Sequence, residues 1–142
     1  MRASMSAFRT MLKLEIVTPE KRVVDQTVDS VSVPTLSGEA GILPNHAPLI
    51  SALKPGILSF TNHGATERFA VAGGFVEVSS DSVSVLTDVA EGSAEIDLEA
   101  ARAERAEAEK SLAANANRPI DETESVRDQL ELANIRIQLA GR

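Results

Sequence analysis

The sequence predicts an all-β sandwich followed by a C-terminal antiparallel α-helical hairpin. Two patterns support this prediction: from residue 11 to about residue 90 apolar residues mostly alternate with polar ones, and beyond residue 95 they recur at helical spacing. A short Gly-Ser linker at residues 92–93 separates the two patterns. We therefore predict a sandwich over residues 11–92 and a helical hairpin over residues 95–142.

The first predicted strand shows the alternation most clearly. Leu12, Leu14 and Ile16 lie on one face, and Lys13 and Glu15 lie on the other, as in a half-buried strand. The alternation returns in three later pairs, namely Val31 and Val33, Phe69 and Val71, and Val83 and Val85. Closely spaced Pro-Gly, Asn-His-Gly and Gly-Gly turns leave no room for helical crossovers, which favours antiparallel strands.

The segment GEAGILPNHAPL, residues 38–49, is predicted to form a stiff loop. Its two prolines fix φ and lack amide donors, so no central strand can pass through it. Glu39 has only small neighbours, and we expect its carboxylate to be exposed. For His46 two interpretations remain open: a loop histidine bonded to a neighbouring carbonyl, or a direct partner contact. His63 is interpreted as a turn residue.

The first helix is predicted from Asp97 to Ala116, a stretch without Gly, Pro, Val or Thr. Asp97 is the expected N-cap, and Asn115 to Pro119 are expected to end the helix and form a turn. The apolar stripe of this helix consists of Leu98, Ala101, Ala108 and Leu112, and only its two leucines are large.

The second helix is predicted to start near Asp121, with Glu124 completing a capping box, and to end at Gly141. Its apolar stripe consists of Val126, Leu130, Ala133 and Ile137. Because alanine buries little apolar surface, the seam between the helices is weak. A detachable hairpin and a permanently docked hairpin both remain open.

Composition excludes several classes of partner. The formal net charge is -7 and no basic run interleaves with aromatic residues, so we expect no nucleic-acid binding. No apolar run approaches the roughly 18 residues of a transmembrane helix, so we expect no direct membrane insertion. Cysteine is absent, which removes disulfides and thiolate metal sites. The first eleven residues lack an apolar core, so we expect no secretory signal.

Catalytic motifs are absent from the sequence. There is no P-loop, no HExxH and no GxSxG, and the two histidines lie in separate turns. We therefore predict no catalytic residues, no metal site and no enzymatic activity. A carboxylate-dependent hydrolase remains an alternative, because two acids distant in sequence can meet in a fold.

Three blocks of the chain resemble a known family. They are VSVPTLSGEAGILPNHAPLISALKPG from Val31, AVAGGFVEV from Ala70 and VSVLTDVAE from Val83. Together they resemble the epsilon subunit of F-type ATP synthases, from Met11 onward. The resemblance implies a non-catalytic rotor subunit that binds the gamma shaft and rests on the membrane ring of c subunits.

The resemblance also implies contact residues. Gly38 and Glu39 would face the c ring, whereas Thr18, His46 and Ser51 would face gamma. The hairpin would fold against the sandwich or extend along gamma towards the alpha and beta subunits and restrain ATP hydrolysis. Residues 95–142 hold 11 acids and seven bases, a net of -4, which does not favour strong inhibition through basic contacts.

Some members of this family bind ATP through an Ile/Leu-Asp-x-x-Arg-Ala motif. Here Ile96 and Asp97 match, but Ala100 replaces the arginine. Arg102 comes two positions later, a rotation of roughly 200° around the helix. We therefore predict no cofactor and no tight ATP site, with Asp97 and Arg102 as the residues that such a site would use.

The resemblance and the lack of a transit peptide lead us to expect a peripheral protein on the cytoplasmic side of a bacterial inner membrane. One alternative belongs to another functional class: a free-standing β-sandwich adaptor whose helical hairpin binds a partner. A rotor subunit must co-purify with a nucleotide-hydrolysing complex, whereas an adaptor need not.

Overall fold

The computed structural model describes residues 11–141. Within this range ten strands form two five-stranded sheets: β1 Leu12–Val17, β2 Arg22–Val28, β3 Ser30–Thr35, β4 Gly38–Ile42, β5 Leu49–Ala52, β6 Gly56–Asn62, β7 Ala65–Ala72, β8 Phe75–Ser79, β9 Ser82–Leu86 and β10 Val89–Gly92. Sheet A has the order β2-β1-β9-β8-β5, and sheet B has the order β10-β7-β6-β3-β4. The predicted sandwich is confirmed. The predictions for residues 1–10 and Arg142 lie outside the described residues.

The core lies between the two sheets and consists mainly of Val, Leu and Ile. Leu12, Leu14 and Ile16 are fully buried, while Lys13 between them is exposed, as the alternation predicts. Two aromatic residues complete the core from sheet B: Phe60 and Phe69 stack with ring centroids 6.0 Å apart. The inward side chains of every second strand position therefore account for the core.

The prediction of a continuous loop over residues 38–49 is wrong. Strands β4 and β5 occupy both ends of this segment, and only residues 43–48 connect them. Both are edge strands, so each needs hydrogen bonds on one side only. Pro44 and Pro48 lie outside the strands, where their missing amide donors do not interrupt a ladder.

The expectation of antiparallel pairing holds for every strand pair of the described sandwich except one. Strands β1 and β9 pair in parallel, with Leu14 opposite Val83 and Ile16 opposite Val85. No helical crossover is needed, because the chain passes through sheet B between these two strands. Spacing along the sequence could not reveal this pair, since its members are distant in sequence.

The hairpin consists of helix α1 (Leu98–Ala114) and helix α2 (Glu124–Ala140), each preceded by a short 3-10 turn, Ser93–Glu95 and Ile120–Glu122. Asp97 caps α1 as predicted: its Oδ1 accepts from the Ala100 amide at 3.1 Å. The predicted stop at Asn115 is confirmed, because this residue is the C-cap of α1.

The predicted capping box at the start of α2 is wrong. The helix begins at Glu124 with Thr123 as its N-cap, and no side chain caps it. The Thr123 hydroxyl instead donates to the Ile120 carbonyl at 3.1 Å, which closes the 3-10 turn. Asp121 lies within that turn and therefore precedes the helix. The predicted end at Gly141 is confirmed.

The hairpin is docked on sheet B through α2, which contacts β6 and β7. Ala70 of β7 pairs with Glu91 of β10, and the Glu91 side chain contacts α2. Paired residues share a face of the sheet, so Ala70 faces the hairpin, and it is fully buried. Leu139 of α2 is also buried, although it falls outside the predicted stripe.

Candidate functional site

The sandwich has two ends built from turns. The Gly74 end, as we name it, comprises the turns at residues 18–21, 36–37 and 73–74. Two backbone hydrogen bonds hold it together: the Leu53 amide donates to the Gly74 carbonyl (2.9 Å), and the Thr87 amide donates to the Val17 carbonyl (3.0 Å). The Asp81 end comprises the turns at residues 43–48, 63–64 and 80–81.

Thr18 lies at the Gly74 end, in the turn between β1 and β2. Its Oγ1 accepts from the amides of Glu20 (3.4 Å) and Lys21 (3.3 Å) and donates to the Lys21 carbonyl (3.2 Å). These bonds are local to the turn. Thr18 therefore shapes the turn, and its half-buried side chain has limited capacity for a further partner.

His46 lies at the Asp81 end, remote from Thr18. Its Nδ1 is 2.6 Å from the carbonyl oxygen of Ala47, which fits the predicted loop histidine and places the proton on Nδ1. The loop is anchored by Asp81, whose Oδ1 accepts from the Asn45 amide at 3.2 Å. At about 3.3 Å per strand residue, the five paired residues of β1 and β9 separate the two ends by roughly 17 Å.

Ser51 lies in edge strand β5, opposite Val76 of β8. Because Val76 is fully buried, Ser51 lies on the core side of sheet A, and it is half-buried. Its hydroxyl donates to the Ala52 carbonyl at 3.3 Å. The three residues predicted to contact gamma are thus not brought together in one patch.

Gly38 and Glu39 begin edge strand β4 at the Gly74 end. Gly38 has φ of 118°, a conformation that favours glycine. Glu39 is exposed as predicted, and Ser32 Oγ donates to its Oε2 at 2.9 Å. A strand bonded to β3 holds this carboxylate more firmly than a loop would.

The outer face of sheet A carries an apolar surface that the sequence analysis missed. Phe75 pairs with Leu86, and Leu86 pairs with Val17, so the three side chains share this face. Phe75 and Leu86 are each 43% exposed, and Ile50 of β5 is 71% exposed. A depression of about 330 Å³ lies among Val17, Pro19, Phe75 and Leu86.

A signal for this surface was present in the sequence. Val76 and Val78 point into the core, so Phe75 must point outwards on the same strand. A phenylalanine at an outward position is uncommon in a sheet face that stays in water. Contiguous exposed apolar residues of this kind mark interaction sites.

Asp97 and Arg102 do not form a nucleotide site together. Asp97 is engaged as the cap of α1, and Arg102 is exposed on that helix. The depression beside Asp97, about 180 Å³, is lined by four carboxylates and one guanidinium: Glu91, Glu95, Asp97, Glu104 and Arg136. Four negative groups disfavour a polyphosphate. The absence of tight ATP binding stays a prediction.

Among the described residues, no helix combines the length and hydrophobicity needed to cross a membrane.

The sequence of the sandwich matches a known family. Residues 11–93 match the family model described as "ATP synthase, Delta/Epsilon chain, beta-sandwich domain". The chain belongs to this family. The identification from the three sequence blocks is thereby confirmed.

Relatives in the delta/epsilon family cover both parts of the chain. The "ATP synthase epsilon chain" of Geobacter sp. (strain M21) is 41% identical over 132 residues, which are 92% of this chain and 94% of the relative. The protein of the same name from Carboxydothermus hydrogenoformans is 53% identical over 95 residues, 67% of this chain and 69% of the relative. The similarity therefore extends through the hairpin.

Solved structures show the same fold. A chain in the cryo-EM structure of Euglena gracilis mitochondrial ATP synthase, "OSCP/F1/c-ring", matches with a TM-score of 0.77 and 24% identity. The match covers 93% of this chain and 82% of that chain. The match therefore shows that this fold occurs in a solved ATP synthase structure.

Proposed function

We propose that this chain is a non-catalytic rotor subunit of an F-type ATP synthase, which joins the gamma shaft to the ring of c subunits. Membership of the delta/epsilon family carries the proposal, because the similarity to chains named ATP synthase epsilon chain spans the sandwich and the hairpin. A free-standing adaptor or a hydrolase would have no reason to share both parts with such chains.

The two proposed partners meet different surfaces. Glu39 and Gly38, held in edge strand β4, present a polar contact for the loops of the c ring. The apolar outer face of sheet A, with Phe75, Leu86 and Ile50, presents a larger surface for gamma. Both surfaces belong to one hydrogen-bonded sandwich, which can transmit torque from one partner to the other without a flexible joint.

The proposal places the protein at the periphery of a membrane-bound complex, on the cytoplasmic side of a bacterial inner membrane. The net charge of -7 and the outward polar side chains of the sandwich fit contact with protein loops, whereas an anionic lipid surface would repel such a chain. Attachment through the c ring requires no transmembrane segment of its own.

A cysteine placed at position 39 tests the proposed ring contact. The chain contains no native cysteine, so E39C in the assembled complex gives a single reactive thiol on this subunit. We expect a thiol cross-linker to join it to subunit c. A65C, exposed at the opposite end of the sandwich, is the matched control and should not capture subunit c. Capture by A65C alone, or purification without any ATP synthase subunit, would refute the proposal.

The hairpin is proposed to restrain ATP hydrolysis when it leaves the sandwich. Deleting residues 95–142 from the assembled complex is expected to raise its rate of ATP hydrolysis about twofold to tenfold, at the low end of typical allosteric coupling, because a net charge of -4 does not favour contacts through basic residues. The rate of ATP synthesis in the same vesicles serves as the control for assembly. An unchanged rate of hydrolysis would remove restraint from the proposed function and leave coupling in place.

A further inference from the structure

Arg136 of α2 connects three separate elements of the fold. Its Nε donates to Glu91 Oε1 of β10 at 2.7 Å, and its Nη1 donates to Glu104 Oε1 of α1 at 2.9 Å. Its side chain is only 19% exposed. Within residues 11–141, the contact between Arg136 and Glu91 is the one ion pair that joins the hairpin to the sandwich.

Negative charge surrounds this arginine. Glu95 and Asp97 line the same depression as Glu91 and Glu104, with Arg136 as its single cation. Burial by itself would lower the pKa of Arg136, but the hydrogen bonds and charges of Glu91 and Glu104 outweigh burial and raise that pKa. The guanidinium therefore stays charged, and without it the carboxylates of β10 and α1 would face each other unneutralised.

The remaining contact between hairpin and sandwich includes apolar packing of α2 on sheet B. Helix α1 packs on α2, and it is α2 that contacts β6 and β7. The buried side chains at this contact include Ala70 of the sheet, which contributes a single methyl group, and Leu139 of α2. At about 0.8 kcal/mol per buried methyl or methylene group, Leu139 contributes most of this apolar stabilisation. Arg136 adds a partly buried, doubly hydrogen-bonded cation, and its loss leaves carboxylates unpaired at the contact.

We propose that Arg136 is an ionic latch that holds the hairpin on sheet B, and that breaking its pair with Glu91 releases α1 and α2 together. The two helices stay paired on release because the bond from Arg136 to Glu104 of α1 does not involve Glu91. High ionic strength weakens the latch. The inference concerns the isolated chain, so it does not depend on the proposed partners.

Two single-cysteine reporters distinguish release of the hairpin from separation of the helices. A70C, beneath the hairpin, reports contact with the sandwich, and A108C, buried in α1 against α2, reports contact between the helices. In the full-length chain, E91Q breaks the pair with the sandwich but keeps the bond from Arg136 to Glu104, and it is expected to raise the thiol-labelling rate of A70C about tenfold, equivalent to about 1.4 kcal/mol of docking free energy. The rate for A108C should change less than about twofold.

The same experiment includes matched controls. R102Q removes the same charge as R136Q, but from an exposed position of α1, and should leave both labelling rates unchanged. R136Q removes the same pair and also the bond to Glu104 of α1, so it should raise the A70C rate at least as much as E91Q and should raise the A108C rate as well. The double variant E91Q/R136Q should label A70C no faster than R136Q alone, as expected for one shared interaction.

Salt dependence separates an ionic latch from lost packing. Raising salt from about 0.1 M to about 1 M shortens the Debye length from about 10 Å to about 3 Å. This change should speed labelling of A70C in the chain that keeps both Arg136 and Glu91. The double variant should show no such acceleration. Equal labelling of A70C with and without E91Q, or equal acceleration of A70C and A108C by E91Q, would overturn the proposal.

Discussion

Replacing Gly74 by alanine is expected to lower the free energy of unfolding by about 3 kcal/mol or more, the sum of backbone strain and steric overlap. Gly74 has φ of 85°, in the left-handed region. A Cβ at this position would overlap the carbonyl oxygen of Leu86 and lie 2.8 Å from Thr87 Cα. Both obstacles are backbone, so rotation of a side chain cannot relieve the overlap.

Gly64 provides a matched control within the same sandwich. Its φ is 82°, nearly the same as that of Gly74, but a Cβ there would meet nothing within 4 Å. G64A therefore adds backbone strain without overlap, and we expect it to lower stability by only about 1–2 kcal/mol. The difference between the two variants isolates the close approach of the β7–β8 turn to β9.

Urea unfolding followed by circular dichroism is the suitable measurement, because the chain has no Trp or Tyr for fluorescence. A loss of several kcal/mol is large against the 5–15 kcal/mol typical of a folded domain, so G74A should unfold at a much lower urea concentration. Equal midpoints for G74A and G64A would show that the turn moves away from Leu86 without penalty. The close packing at the Gly74 end would then be disproved.

The parts of the fold that depend on local patterns were predictable from the sequence. Alternation in β1 identified Leu12, Leu14 and Ile16 as core, because one face of a sandwich sheet is buried and the other is not. Asp97 was identified as a helix cap because capping involves residues three apart in sequence. At Thr123 a second capping residue stood near Asp121, and the local pattern could not choose between them.

Pairing between distant segments was not predictable in the same way. The parallel pair of β1 and β9 depends on how the whole chain passes between the sheets. The same long-range arrangement separates Thr18 from His46, two residues that the family resemblance assigned to one partner. Edge strand β4 was missed because its pattern of glycine and exposed residues resembles that of a loop, and one ladder is enough to order it.

Arg136 was also overlooked as a functional residue, although the sequence carried a signal for it. It lies at the edge of the apolar stripe of α2, three positions after Ala133 and three before Leu139, where an unpaired cation would be unfavourable. A charge in such a stripe predicts a partner on a neighbouring element. The identity of that partner, Glu91, needed the docked arrangement of the hairpin.

Replacing Phe75 by aspartate is expected to weaken assembly with gamma at least about 100-fold, equivalent to about 2.7 kcal/mol of binding free energy. The outer face of sheet A is proposed to be covered by gamma, and Phe75 and Leu86 form its apolar centre. A carboxylate buried there without a partner would lose its hydration. We expect the chain to remain folded, because Phe75 is 43% exposed on the side of β8 that faces away from the core.

Binding of the purified chain to gamma, measured by isothermal titration calorimetry, gives the affinity directly. I50D is the second variant on the same face, and its 71% exposed side chain makes a folding defect a poor explanation for any loss. A65D introduces the same charge at an exposed position in sheet B and should bind gamma as the native chain does. Circular dichroism of each variant verifies the fold before binding is compared.

The pattern of losses decides which surface gamma uses. If gamma covers the outer face of sheet A, F75D and I50D lose affinity together while A65D does not, because only the first two place a charge on that face. If gamma instead binds only the turns, the substitutions H46A and T18A would weaken binding and F75D would not. Native affinity in F75D would thus contradict the proposed shaft surface, even if the chain still assembled into the rotor.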